Sequence, residues 1–70
     1  MQNGLTPTER IALLSIELTP HQTFKQLVES TGSKAPAVLR RALRFLMVAG
    51  LVESFGSGAE STYVRYDGNL

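Results

Sequence analysis

The four residues Ser30-Thr31-Gly32-Ser33 constrain this chain most, because they leave only one tight turn between two amphipathic segments. Apolar residues recur at helical spacing on both sides of the turn: Phe24, Leu27 and Val28 before it, and Leu39, Ala42, Leu43 and Leu46 after it. Gly32 suits the left-handed residue that ends a helix. The sequence therefore predicts two helices joined by a turn too short for any other element.

A further helix precedes this pair, and its start carries several signals within four residues. Thr6 can cap the helix, Pro7 suits the first helical position, and Glu9 completes a capping box. Pro20 ends the helix, because proline lacks an amide proton and restricts the residue before it. Apolar residues follow the start at helical spacing: Ile11, Leu14 and Leu18, flanked by Leu13 and Ile16.

The second helix has two alternative starts. Thr23-Phe24-Lys25-Gln26 is a capping box, and Thr19-Pro20-His21-Gln22 has the same signature. We favour Thr23, which leaves His21 and Gln22 in a short extended link. For the third helix we expect Ser33 as the cap, with Pro36 in the first turn, where a missing amide costs little.

Gly50 closes the third helix, and the remaining sequence predicts a β-hairpin. Leu51-Val52-Glu53 is typical of a strand, and 55–61 of a turn rich in Gly and Ser. Thr62 to Tyr66 forms the second strand, with alternate side chains on opposite faces. The predicted fold is α+β: three helices, the last two in a helix-turn-helix, followed by the hairpin. We expect one domain over residues 1–70, with flexible ends at 1–5 and 67–70.

Several classes of function are excluded by what the chain lacks. Its 70 residues contain no cysteine, which excludes disulfides and thiolate zinc sites. His21 is the only histidine and has no neighbouring acid cluster, and no catalytic arrangement stands out, so we expect no cofactor, no metal and no enzymatic activity. With no signal peptide and no apolar run near the roughly 20 residues of a membrane span, we expect a cytoplasmic protein.

Charge is segregated along the chain although the net charge is only +1. No acidic residue lies between Glu29 and Glu53, where four cations fall: Lys34, Arg40, Arg41 and Arg44. With Leu39 at the centre of the buried side, the three arginines share an arc of about 100° on the opposite side, and Lys34 extends that arc. A solvated face usually mixes charges of both signs, so this arc favours docking in the DNA major groove.

These features together resemble the winged helix-turn-helix family of small transcription regulators. Residues 24–32 look like the family's second helix and turn, residues 39–46 like its recognition helix, and residues 49–53 like its exit into the wing. The resemblance implies a regulator of transcription that binds double-stranded DNA, with the third helix in the major groove and the hairpin as wing. The sequence departs from the family pattern in two places. Ala35, Pro36 and Ala37 stand where the family usually has small polar residues, and the wing turn has no Lys or Arg. Both differences favour contacts with the DNA backbone over contacts with base edges.

Ten residues are candidates for DNA contact. Those around the third helix are Ser33, Lys34, Pro36, Ala37, Arg40, Arg41 and Arg44. Thr23, Lys25 and Arg65 are secondary candidates for phosphate contact. Amides at the start of the third helix favour a phosphate, which Lys34 would reinforce.

Phe45, Met47 and Val48 do not all fit on the buried side of the third helix. Either a neighbouring subunit covers part of this surface, as in a homodimer that matches two half-sites, or Phe45 and Met47 pack under the first helix. The same residues, with the uncharged wing, support an alternative function, that of a protein-interaction module without direct DNA contact.

Overall fold

Residues 4–66, the part of the chain that the computed structural model describes, form three helices and a three-stranded antiparallel sheet. In chain order the elements are α1 (Pro7–Leu18), β1 (Gln22–Thr23), α2 (Phe24–Thr31), α3 (Pro36–Val48), β2 (Val52–Phe55), a 3-10 turn (Gly58–Glu60) and β3 (Thr62–Arg65). The predicted α+β fold is confirmed, and its layout is compatible with a winged helix. No helix in this range is both long and apolar enough to cross a membrane.

The two ends that were predicted to be flexible, 1–5 and 67–70, lie largely outside the described residues. Residues 1–3 and 67–70 of those ends lie beyond the range 4–66. Leu5, within the range, is partly buried and packs against the hydrophobic core.

The start of α1 is the predicted capping box. The Thr6 amide donates to Glu9 Oε1 at 2.9 Å, and the Glu9 amide donates to Thr6 Oγ1 at 3.2 Å. Pro7 occupies the first helical position, where its missing amide proton costs nothing. The helix ends at Leu18, with Thr19 as C-cap directly before Pro20.

The alternative starts of α2 are resolved in favour of Thr23. Its amide donates to Gln26 Oε1 at 2.8 Å, and the Gln26 amide donates to Thr23 Oγ1 at 3.2 Å. At the other end Gly32 adopts the left-handed conformation, with φ 67° and ψ 24°. Any residue with a Cβ would be strained there, so glycine fixes where α2 stops.

The predicted extended link between α1 and α2 is confirmed for Gln22, which joins the sheet with Thr23, but not for His21. Gln22 pairs with Tyr63 and Thr23 with Thr62, so β3 lies between β1 and β2. His21 turns the chain into β1 with φ 67°, a left-handed conformation that histidine tolerates better than most residues. The His21 amide donates to the Tyr63 carbonyl at 2.9 Å.

Buried Gln22 ties the ends of α1 and α2 together. Its Nε2 donates to the carbonyls of Ser15 and Thr19, at 3.1 and 2.8 Å. Its Oε1 accepts from Ser30 Oγ at 2.9 Å. A buried amide with all these partners stabilises one arrangement of its neighbours, since any other would leave it unsatisfied.

The hairpin begins one residue later than predicted and is longer on its first strand. Gly50 has φ 79°, and the Leu51 amide donates to the Leu46 carbonyl at 2.9 Å, which delays β2 to Val52. In the register of the pair, Val52 lies opposite Arg65. Gly56, with φ 92°, starts the turn, and a Cβ there would lie 3.4 Å from the Glu60 carbonyl oxygen.

The core is built around the predicted apolar side of α3. Leu39, Ala42, Leu43 and Leu46 are all at most 5% exposed. From the other elements the buried hydrophobic side chains are Ala12, Ile16, Leu27, Val52 and Tyr63. Met47 is partly buried against this cluster.

Helix α1 buries a different side from the one that its large apolar residues mark. The residues it buries fully are Ala12 and Ile16. Ile11, Leu14 and Leu18, hereafter the α1 stripe, are 50%, 54% and 75% exposed. The periodicity therefore predicted the helix correctly, but much of the apolar surface of α1 faces outward.

Candidate nucleic-acid interface

Helix α3 starts later than predicted, and Ser33 is not its cap. The N-cap is Ala35, which makes no side-chain capping bond, and Pro36 is the first helical residue. The physical reason is Pro36 itself, since its ring disfavours helical geometry at the preceding residue. Ser33 Oγ instead accepts a bond from the Ala35 amide at 3.3 Å, in a local turn.

The start of α3 has fewer groups available to bind a phosphate than was predicted from the sequence. Pro36 has no amide proton, and the amides of Val38 and Leu39 donate to the Ala35 carbonyl at 2.9 and 3.1 Å. Ser33 and Lys34 precede the helix, so the helical arc does not place Lys34 with the arginines. Both line a groove formed by the start of α1, the turn after α2 and the start of α3.

The three arginines of α3 share one exposed surface. Arg40, Arg41 and Arg44, hereafter the α3 basic face, line a shallow groove together with Ala37. No acidic residue occurs anywhere in α3. The buried leucines hold the opposite side of the helix in the core, so these side chains project away from the domain.

Arg40 is positioned by an aromatic ring. Its guanidinium carbon lies 4.1 Å from the centroid of the Phe24 ring, in cation–π geometry. Such contacts are worth about 0.5–1 kcal/mol at exposed sites. The contact restricts the rotamers of Arg40 while keeping its hydrogen-bond donors available to a ligand.

A second groove joins Arg40 to the hairpin. Its walls are the start of α2, with Phe24 and Lys25, and the turn before β3, with Ala59 and Ser61. Lys25 is exposed. The two cations therefore lie in one groove that spans three elements of the fold.

Two of the secondary candidates are engaged within the domain. Both the hydroxyl and the amide of Thr23 belong to the capping box of α2. Arg65 forms an ion pair with Glu17 of α1. Neither of the grooves that hold the α3 arginines is lined by Thr23 or Arg65.

Sequence reasoning missed the roles of Phe24 and of the turn before β3. Phe24 was assigned to the apolar side of α2, but it also supports Arg40. The turn has no basic residue, yet Gly58, Ala59 and Ser61 form one wall of the groove. No spacing in the sequence could reveal either contact, because each joins residues from separate elements.

Of the three apolar residues near the end of α3, one is partly buried and two are exposed, so the prediction that Phe45 packs under α1 is wrong. Met47 packs against the core, whereas Phe45 is 45% and Val48 82% exposed. The latter two therefore remain on the surface of the single chain.

Comparisons with known proteins supply no independent assignment. No protein-family model matches the chain. A search of curated proteins found no similar protein.

Proposed function

We propose that this chain is a DNA-binding protein of the winged-helix type, and that it docks the α3 basic face in the major groove of double-stranded DNA. The proposal includes a role in transcriptional regulation, a cytoplasmic location and no catalytic activity. One observation carries it: Arg40, Arg41 and Arg44 share one exposed surface of a helix that contains no acid.

The geometry of α3 supports major-groove docking. A helix can enter that groove if one side is free of the domain, and α3 has an exposed basic side opposite buried leucines. Guanidinium groups bind phosphates or guanine edges bidentately, so each arginine suits either target. Ala37, on the same surface, leaves room for close approach.

The surroundings of α3 favour phosphate contacts over base readout. Lys25 lies with Arg40 in the groove next to the hairpin, where a DNA strand could follow the positive charge. The first turn of α3, with Pro36 and Ala37, offers no polar side chain to a base edge. We therefore expect affinity that depends strongly on salt and weakly on sequence.

The test is fluorescence anisotropy with a labelled random-sequence duplex, titrated over a range of salt concentrations. Each phosphate contact contributes about −0.9 to the slope of log affinity against log salt concentration. The triple variant Arg40→Ala/Arg41→Ala/Arg44→Ala should make this negative slope shallower by roughly two to three and abolish binding at moderate salt. No detectable binding at low salt, or an unchanged triple variant, would contradict the proposal.

A matched pair of single variants controls for the loss of one positive charge. Arg41 on α3 and Arg10 on α1 are both exposed helical arginines. Arg41→Ala should weaken binding severalfold, whereas Arg10→Ala should change it little beyond the effect of net charge. Equal losses would indicate non-specific attraction. If binding holds, selection from a random pool would then identify a preferred site.

A protein-interaction module is a second candidate function. Exposed Phe45 and Val48 favour it, because apolar side chains on a surface are suited to a protein partner. If the chain has this second function, it should not bind a DNA duplex. Phe45→Ser or Val48→Ser should then disrupt capture of the protein partner.

A further inference from the structure

An outward-facing apolar surface lies on α1, on the side of the helix that the core does not bury. The α1 stripe continues into Val38 of α3, which is 47% exposed. Ile11 connects the two, since it lines one groove with Val38 and another with Leu14 and Leu18. We propose that a second copy of this chain covers this surface, with the two α1 helices packed antiparallel across a two-fold axis.

The area available matches what a small dimer interface needs. At about 30 Å² per apolar carbon group, the exposed parts of these four side chains present on the order of 300 Å². The smallest specific interfaces bury about 600 Å² per partner, of which roughly 340 Å² is apolar. The surface is therefore close to the lower limit of a stable interface, which suits a weak dimer.

The charges on α1 argue for a second copy as the partner. Arg10 and Glu17 are seven residues apart, nearly two full turns, so they lie on the same flank of the helix beside Leu14. Their midpoint along the helix lies next to Leu14. A two-fold axis at that level brings Arg10 of each copy opposite Glu17 of the other, twice.

Such self-complementarity is what a two-fold interface requires, because the same surface must serve both partners. Glu17 also carries the ion pair with Arg65 of its own chain, which holds its carboxylate at the flank of the stripe. The arriving Arg10 then completes a cluster of three charges at each end of the interface.

The dimer leaves Arg40 and Arg44 of the α3 basic face accessible. Relative to the buried Leu39, Val38 lies about 100° to one side of α3, and these two arginines lie about 100–140° to the other. Arg41 lies nearly opposite Leu39, about 60° from Val38. Dimerisation and DNA binding can thus be tested separately, and neither depends on the other.

Sedimentation equilibrium of the full chain over about 5–500 µM tests the proposal. The wild type should approach a dimer at the upper end, and Leu14→Glu should raise the dissociation constant at least tenfold, because it buries an unpaired charge. Val48→Glu is the matched control: Val48 is an exposed apolar residue of α3 that lines neither groove of the proposed surface, so its variant should dimerise normally. A monomeric wild type, or dimerisation lost in Val48→Glu but kept in Leu14→Glu, would overturn the proposal.

A charge-reversal experiment tests the antiparallel arrangement. Arg10→Glu alone, or Glu17→Arg alone, places like charges opposite each other at both ends and should weaken each homodimer. An equal mixture of these two variants restores both attractive pairs and should associate more tightly than either variant alone. Circular dichroism checks that both variants fold. A mixture no tighter than its components would contradict the antiparallel pairing.

Discussion

Helices α1 and α3 have nearly the same length and both have proline as their first residue, yet they expose opposite chemistry. They span 12 and 13 residues, begin with proline, and pack against each other. The outward side of α3 is basic, whereas that of α1 carries the α1 stripe. Helical spacing of apolar residues therefore identifies a helix without identifying the side that the fold buries.

The difference follows from the apolar residues available to each helix. In α3 the leucines lie on one side and the arginines on the other, so burial has a single solution. In α1 apolar residues occupy more than half of the circumference, and the neighbouring elements cover only part of it. The side with Ala12 is the one that is buried, and a small residue there lets those elements approach closely.

The largest expected effect is the difference in stability loss between one leucine-to-alanine substitution in α3 and one in α1. Leu46 of α3 is 0% and Leu18 of α1 75% exposed. Leu46→Ala should lower the free energy of unfolding by about 2–5 kcal/mol, because it leaves a cavity. Leu18→Ala should lower it by less than about 0.5 kcal/mol.

Urea denaturation followed by circular dichroism, at a concentration too low for association, measures both. If the two substitutions were equally destabilising, the α1 stripe would be part of the core in solution.

An intermediate effect on stability is expected when the side-chain hydroxyl near the start of α1 or of α3 is removed. Thr6→Ala removes the hydroxyl of the α1 capping box and should cost about 1 kcal/mol. Ser33→Ala should cost only a few tenths of a kcal/mol, because Ser33 accepts one long bond outside α3 and leaves no helical amide unsatisfied. Thermal unfolding of both variants provides the measurement. A Ser33→Ala loss as large as that of Thr6→Ala would mean that Ser33 caps α3 after all.

The smallest expected effect concerns the aromatic ring that supports Arg40 in the α3 basic face. Phe24→Leu keeps an apolar side chain at the start of α2 but removes the ring under Arg40. Without the ring, Arg40 is no longer held in position. The lost preorganisation is worth at most the energy of the contact, about 0.5–1 kcal/mol, so DNA binding should weaken by up to two- to fivefold. Phe55→Leu, at the exposed phenylalanine of β2, is the control and should leave anisotropy titrations unchanged. Equal affinities of the two variants would show that the ring does not position Arg40.

Local signals in the sequence predicted most of the fold. Thr6, Thr23, Gly32 and Gly50 mark helix ends through bonds and dihedral angles that involve only their close neighbours in the chain. The one wrong cap, Ser33, also has a local explanation, because Pro36 already excluded Ala35 from the helix. That correction could have been made from the sequence.

The candidate site was predicted only in part. The grouping of Arg40, Arg41 and Arg44 follows from helical geometry alone, since all three lie in one helix. The pairing of Arg65 with Glu17 and the support of Arg40 by Phe24 join residues 48 and 16 positions apart. Contacts of that kind depend on how the helices and the sheet pack, which the sequence pattern did not specify.

By itself the sequence determined where the three helices begin and end, with the exception at Ser33, and that α3 has a leucine side and an arginine side. The tertiary structure decided that β1 joins the sheet, that Gln22 is buried between α1 and α2, and that the α1 stripe faces outward. The physical reason is the separation along the chain between the residues that interact. Caps, turns and helical faces are set by interactions within a few residues, whereas burial depends on which distant surfaces meet and how much apolar area they can cover.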